Sequence, residues 1–71
     1  MGRIEFRIFV PDQRTAWRIT SLLQGYGDIH YISKPIWMVY GDGPKYWLMH
    51  RLAEIHGKEG KAVKIEWREM K

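Results

Sequence analysis

Two stretches of the chain alternate between apolar and other side chains with a period of two. Over residues 3–10 the apolar positions are Ile4, Phe6, Ile8 and Val10. Near the other end they are Val63, Ile65 and Trp67, and the residues between them are charged. This period is that of a β-strand with one buried face. The pattern therefore predicts a strand at each end of the sequence.

Apolar residues recur at helical spacing in two other segments, which predicts two helices. The first, over residues 13–24, follows Pro11 and the N-cap residue Asp12, and its stripe is Ala16, Ile19 and Leu23. The second runs to Gly57 with the stripe Leu48, Leu52 and Ile55. We expect Asp42 or Gly43 to cap the second helix and Pro44 to lie in its first turn.

Between the two helices, β-favouring residues predict two further strands. The first covers residues 28–33, with Ile29 and Tyr31 facing the core. The second covers residues 36–40, with Ile36 and Met38 facing the core and Trp37 and Val39 facing away. We expect the dipeptide at positions 34–35, Lys-Pro, to connect these strands tightly.

The element order is therefore strand, helix, strand, strand, helix, strand, within one domain of residues 1–71. The two halves also correspond at an offset of 30 residues, which pairs Phe6 with Ile36 and Trp17 with Trp47. Two such units resemble the ferredoxin-like plan. The resemblance implies an α+β fold with a four-stranded antiparallel sheet, in the order 4-1-3-2, and both helices on one face.

Two tryptophans are left over when the core is assigned. Trp17 and Trp47 are predicted to face solvent, roughly opposite the apolar stripes of their helices, among the arginines Arg14, Arg18 and Arg51. Tryptophan and arginine are enriched at the energetic centres of protein interfaces. These five residues are the candidate protein-binding site. The alternative is that each ring folds over a helix end or sheet edge and covers the core.

The sheet face without helices is a second candidate site, predicted to carry Arg7, Phe9, His30, Trp37, Lys64 and Arg68. Aromatic rings that stack on unpaired bases, with cations nearby for phosphates, are typical of single-stranded nucleic-acid binding. The segment 8–10, Ile-Phe-Val, is similar to the first-strand motif of RNA-recognition motifs, whereas residues 34–40 lack the glycines of their third strand. Two alternatives stay open for this face: solvated ion pairs of Arg3 and Arg7 with Glu66, and homodimerisation.

Composition narrows the classes of function. The chain has 71 residues, no cysteine and a net charge of +4, which favours anionic partners. Without cysteine there is no disulfide framework, no cysteine-based metal site and no thiol nucleophile. The segment 11–13, Pro-Asp-Gln, stands where the related acylphosphatases carry an arginine cradle. We therefore expect neither an enzyme nor a bound cofactor or metal, and no association with a membrane.

The first hypothesis is a small cytoplasmic protein-binding module, of adaptor or inhibitor type, that docks through its tryptophans and arginines. Small stand-alone proteins of phages and mobile elements provide the analogy. The alternative hypothesis is a protein that binds single-stranded RNA or DNA on the open sheet face. A homodimer formed through that same face competes with both, since a chain this small often gains stability by association.

Overall fold

The computed structural model describes residues 2–33 and 36–70. Strand β1 spans Arg3–Val10, helix α1 Gln13–Leu22, strand β2 Gly27–Ser33, strand β3 Ile36–Pro44, helix α2 Lys45–Glu59 and strand β4 Lys64–Met70. A short 3₁₀ turn, Gly60–Ala62, joins α2 to β4. The predicted tight connection at positions 34–35 lies outside the described residues. No helix in the described ranges is long and apolar enough to cross a membrane.

The four strands form one antiparallel sheet in the order β2-β3-β1-β4. This is the predicted order 4-1-3-2 read from the other edge, so the predicted topology is confirmed. Strand β1 lies at the centre and pairs with β3 on one side and with β4 on the other. The edge strands are β2 and β4.

Both helices cover one face of the sheet, which we call the helix face; the other is the open face. The core lies between the helices and the sheet. Its buried residues are Ile4, Phe6, Ile8, Val10, Ala16, Ile19, Leu23, Val39, Leu48, Leu52, Ile55 and Val63. The stripes predicted for the two helices are all in this list, because helical spacing brought each stripe to one side of its helix.

The predicted orientation of β3 is wrong. Trp37 and Val39 point to the helix face, where Val39 is fully buried and Trp37 packs against the core. Ile36 and Met38, predicted to face inward, lie on the open face. Residues 41–44, predicted to begin the second helix, instead continue β3. Because side chains alternate along a strand, extending β3 through exposed Asp42 places Met38 on the open face and Val39 in the core.

Asp12 caps helix α1, as predicted. The backbone N–H of Thr15 donates a hydrogen bond of 2.8 Å to the Asp12 carboxylate. This hydrogen bond from Thr15 lowers the pKa of Asp12, because it favours the charged carboxylate. The cap therefore stabilises the start of α1 most strongly when Asp12 is ionised.

We expect Asp12→Ala to lower the melting temperature by several degrees at neutral pH, while Asp12→Asn, which keeps an acceptor oxygen, has a smaller effect. Since the folded-state pKa lies below the unfolded value, the contribution of Asp12 is complete above the unfolded pKa. It is lost as the pH falls through the lowered folded pKa. Melting curves recorded from neutral to strongly acidic pH should therefore converge for Asp12→Ala and wild type. A constant difference would contradict this assignment.

Candidate functional site

Trp17 lies on the outer surface of α1, opposite the buried side of that helix. Its side chain is 59% exposed. The buried residues of the helix are Thr15, Ala16 and Ile19, and at about 100° per residue Trp17 points away from their mean direction. Arg14 is exposed on the same outer surface. The prediction of a solvent-facing tryptophan on α1 is confirmed.

Trp47 is placed differently from its prediction as a solvent-facing residue. It is partly buried and packs against the core, with its ring centroid 5.2 Å from that of Tyr26. Trp47 lies only about 100° around α2 from the buried Leu48, so it occupies the flank of the helix and not its outer surface. Tyr26, in the turn after α1, covers this flank. Trp47 is therefore mainly a packing residue.

The structure does not bring Trp17 and Trp47 together. Arg18, the neighbour of Trp17, donates two hydrogen bonds of 3.0 and 3.1 Å to Glu59 at the end of α2. Trp47 lies near the start of α2, twelve residues earlier and thus about 18 Å away along the helix axis. The ion pair therefore places the Arg18 side chain at the end of α2 that is distant from Trp47.

Two of the three candidate arginines are held by neighbours. Arg18 is paired with Glu59, which raises the pKa of Arg18 by hydrogen bonding to its charged form. Arg51 pairs with Glu54 at 3.2 Å, and its guanidinium lies 5.2 Å from the centre of the Trp47 ring. Arg14 makes no ion pair with any residue in the described ranges. Of the predicted protein-binding set, Trp17 and Arg14 thus remain accessible and unengaged.

The open face holds most of the residues predicted for it, but not Trp37. The strand registers align Arg7 with Tyr40, and Phe9 with both Met38 and Lys64. Tyr40 and Met38 thus take the places predicted for aromatic and apolar residues of β3. His30 lies on the same face and contacts Tyr40 edge-on, with ring centroids 6.3 Å apart. The open face therefore carries the rings of Phe9 and Tyr40 in place of the predicted pair Phe9 and Trp37.

The charges on the open face cancel. Four cations, Arg3, Arg7, Lys64 and Arg68, share it with four carboxylates, Glu5, Asp28, Asp42 and Glu66. Each cation contacts a carboxylate there: Arg3 contacts Asp42 at 2.7 Å, Arg7 and Lys64 contact Glu66 at 3.6 and 3.5 Å, and Arg68 contacts Glu5. The predicted pair of Arg7 with Glu66 is confirmed, whereas Arg3 pairs with Asp42 instead.

The helix side carries more positive than negative charge. Helices α1 and α2 and the 3₁₀ turn carry six lysines and arginines and two glutamates. Asp12, which caps α1, and Glu69, which contacts Lys45, lower the surplus on this side to two positive charges. An anionic partner is therefore attracted to the helix layer more than to the open face.

Five exposed aromatic residues were not among the predicted site residues: Tyr26, Tyr31, Tyr40, Tyr46 and Trp67. Tyr46, the second residue of α2, is 75% exposed, and Trp67 on β4 is 45% exposed. Trp67 shares the helix face of the sheet, as its alternation predicts, but β4 is an edge strand and α2 covers the ring only in part. Tyr46 is the residue after Lys45, where α2 begins, and the sequence had placed the start of this helix earlier.

In the described part of the chain, no three histidine or acidic side chains converge in a group that could hold a metal.

The fold is similar to that of solved proteins with very different sequences. The crystal structure of CutA1 from Oryza sativa matches with a TM-score of 0.67 at 9% identity, over 100% of this chain and 82% of that one. The structure of the uncharacterized protein TM1266 from Thermotoga maritima matches with a TM-score of 0.58 at 15% identity, over 97% and 96% of the two chains. No family model and no curated protein matches the sequence. These similarities establish a ferredoxin-like α+β fold, which by itself does not specify a function.

Proposed function

We propose that this chain is a non-enzymatic protein-binding module, of adaptor or inhibitor type, that docks through the outer surface of α1. The observation that supports this most is the exposure of Trp17 on a helix whose opposite side already supplies its share of the core. A tryptophan with more than half of its surface in water contributes little packing to the monomer. In an interface, it is among the residues that contribute most to affinity when a partner pocket removes it from water.

Charge indicates the chemistry of the partner surface. Arg14 lies beside Trp17, and α1 contains two arginines and no acidic residue. We therefore propose a partner with an apolar pocket for Trp17 and acidic residues around that pocket. Long-range attraction between the basic helix layer and such a surface would increase the rate of association and make it sensitive to salt.

The alternative function, single-stranded nucleic-acid binding on the open face, has weaker support. Its largest predicted ring, Trp37, lies on the other face, and the cations of the open face are matched one for one by carboxylates. Neutralising several phosphates requires cations in excess. We expect a short single-stranded oligonucleotide to bind this face weakly even at low salt, as a fluorescence titration can measure.

Capture experiments with the chain as bait in a lysate of its native host test the proposal. We expect Trp17→Ser to weaken binding of the captured protein by about 30-fold or more, as for an interface hot spot. Arg14→Glu should also weaken binding, through repulsion from the acidic surface. Tyr46→Ser, which removes an even more exposed ring from α2, is the matched control and should bind like wild type.

The melting temperature of Trp17→Ser should stay close to that of wild type, because the ring lies outside the core. Capture by Trp17→Ser that equals wild-type capture would refute the proposed docking surface. Capture that disappears on nuclease treatment would instead favour nucleic acid as the partner.

A further inference from the structure

Strand β4 has an open and regular edge. Its seven residues pair with β1 in an unbroken register from Arg3–Met70 to Phe9–Lys64, and within residues 2–33 and 36–70 no strand lies on its other side. The opposite edge of the sheet is irregular, because the register of β2 with β3 shifts between Tyr31 and Ser33. A long, regular edge is a template for pairing with a further strand, and an irregularity is one of the features that prevent such pairing.

An apolar groove lies directly beside this edge on the helix face. It measures about 350 Å³ and is lined by Met49, Leu52, Ala53, His56, Ile65 and Trp67. Trp67 stands at its outer side and is exposed over nearly half of its surface. A strand added to β4 would cover the outer side of this groove and the indole of Trp67.

We propose that the β4 edge binds β4 of a second copy of this chain, antiparallel and centred on Trp67. Two-fold symmetry places one central residue opposite its own copy, and it places residues at equal distances before and after that residue opposite each other. Residues that are directly opposite each other have their side chains on the same face of the sheet. Centred on Trp67, the pairing includes all seven residues, with Trp67 opposite Trp67 and Glu66 opposite Arg68 at two symmetric positions.

The neighbouring registers are electrostatically worse. In the pairing centred on Glu66, Glu66 lies opposite Glu66 of the second copy, and Lys64 lies opposite Arg68. Both of these charged pairs repel. Centred on Arg68, that residue meets its own copy. Like charges directly opposite each other destabilise paired strands, whereas opposite charges stabilise them. Of these three registers, the charges of β4 favour the one centred on Trp67. A register centred on Ile65 also places Lys64 opposite Glu66, but it pairs only three residues of β4.

The favoured register also extends an existing row of charges across the seam. Within one copy, Glu5 is opposite Arg68, and Arg7 is opposite Glu66. In the dimer, Arg68 would lie between Glu5 of its own copy and Glu66 of the second copy, which in turn contacts Arg7 of the second copy. The sign therefore alternates along four residues, and two-fold symmetry repeats the row.

Such a dimer is an eight-stranded sheet with the four helices on one side, since the symmetry axis is perpendicular to the sheet. The two Trp67 rings and the two apolar grooves would meet at the seam. Trp17 lies on the outside of the helix layer and stays exposed in both copies. The dimer thus goes beyond the proposed function, to which it would add a second docking surface on the same side of one particle.

Two charge variants test the seam and its register. In Arg68→Glu, residue 68 meets Glu66 of the second copy, and two negative charges repel. In Glu66→Arg, residue 66 meets Arg68 of the second copy, and two positive charges repel. We expect each variant alone to weaken dimerisation by about tenfold or more relative to wild type, measured by light scattering or sedimentation. Arg68 is exposed and Glu66 is half-buried. Because each change also breaks an ion pair within its own copy, circular dichroism checks that each variant is folded.

An equimolar mixture of the two variants is the decisive sample. When Arg68→Glu pairs with Glu66→Arg, both seam pairs become one glutamate opposite one arginine, so the heterodimer is attractive although each homodimer is repulsive. Native mass spectrometry separates the species, because the two variants differ in mass. Trp17→Ser, the control for the proposed function, should dimerise like wild type.

The outcomes separate the alternatives. The proposal is correct if wild type dimerises, both single variants are mainly monomeric and their mixture gives the heterodimer. A wild-type chain that stays monomeric over the accessible concentrations overturns it. So do single variants that dimerise as tightly as wild type, which would place the interface elsewhere, and a mixture that stays monomeric, which would exclude this register.

Discussion

Replacing Gly41 by alanine is expected to unfold much of the protein. A β-carbon at position 41 would lie 1.8 Å from the backbone oxygen of Tyr26 and 2.9 Å from its carbonyl carbon. These are backbone atoms of the turn that leads into β2, and Gly27 of that strand is the register partner of Gly41. The strands and the turn would have to separate to admit the methyl group.

We expect Gly41→Ala to lower the free energy of unfolding by about 3 kcal/mol or more, as for a severely overpacked site. A domain of this length has only about 4–11 kcal/mol of stability in total. Urea denaturation followed by circular dichroism measures the change, and the variant should show either a much lower midpoint or no cooperative transition.

Gly57→Ala is the matched control for the same substitution. Gly57 lies within α2, and a β-carbon there would have no heavy atom within 4 Å. Alanine restricts the unfolded chain and favours the helix, so this variant should gain about 0.5–1 kcal/mol of stability. If Gly41→Ala and Gly57→Ala changed the free energy of unfolding equally, the backbones of Gly41 and Tyr26 would not be in close contact.

The second large effect is expected for Phe6→Ala. Phe6 is a fully enclosed aromatic side chain in the central strand, 2% exposed on the helix face. Truncation removes its buried area and leaves a cavity in the core, which costs about 3–5 kcal/mol for phenylalanine. Denaturant titration of the purified variant would show most of the stability lost.

Phe9 offers a control in the same strand with the same residue type. It lies on the open face and is only partly buried. We expect Phe9→Ala to cost less than half as much as Phe6→Ala, since there is no enclosed cavity to create. A larger loss for Phe9→Ala would mean that the open face is covered in the native molecule, as homodimerisation through that face would require.

The sequence was sufficient to predict the strand order, the helix stripes and the exposed Trp17. In β1 and in both helices the apolar period is unambiguous, because charged or polar residues separate the buried positions. The N-cap at Asp12 follows from the side chain alone. The edges of the sheet also follow, because the predicted order of the strands fixes which two are outermost.

The orientation of β3 was not predictable from its apolar residues, because residues 36–40 are apolar on both faces. The offset of 30 between the two halves then aligned Phe6 with Ile36, whereas the structure places Phe6 and Trp37 on the same face. The segment 41–44, Gly-Asp-Gly-Pro, has the composition of a turn. It was therefore predicted to begin the second helix, whereas it continues β3. The signal that could have corrected this is Asp42, whose charge belongs on the open face.

The position of Trp47 depended on tertiary contacts. A helical period shows which residues lie off the apolar stripe, but it does not show which loop covers the flank of a helix. Tyr26 covers Trp47 from a turn twenty-one residues earlier in the chain. The pairing of every open-face cation with a carboxylate likewise depends on the register between strands, which the alternation of β1 and β4 did not determine.

The most direct test of the account is to measure which tryptophan water reaches. Acrylamide quenching of fluorescence is compared for wild type and for four variants that replace Trp17, Trp37, Trp47 or Trp67 by phenylalanine. If Trp17 is the exposed anchor of the docking surface, Trp17→Phe removes the most quenchable and most red-shifted emission, and Trp37→Phe and Trp47→Phe leave that emission in place. Trp67 is also 45% exposed, so part of the quenchable emission remains in Trp17→Phe. Emission from Trp17→Phe that is as red-shifted and as easily quenched as that of wild type would contradict the account.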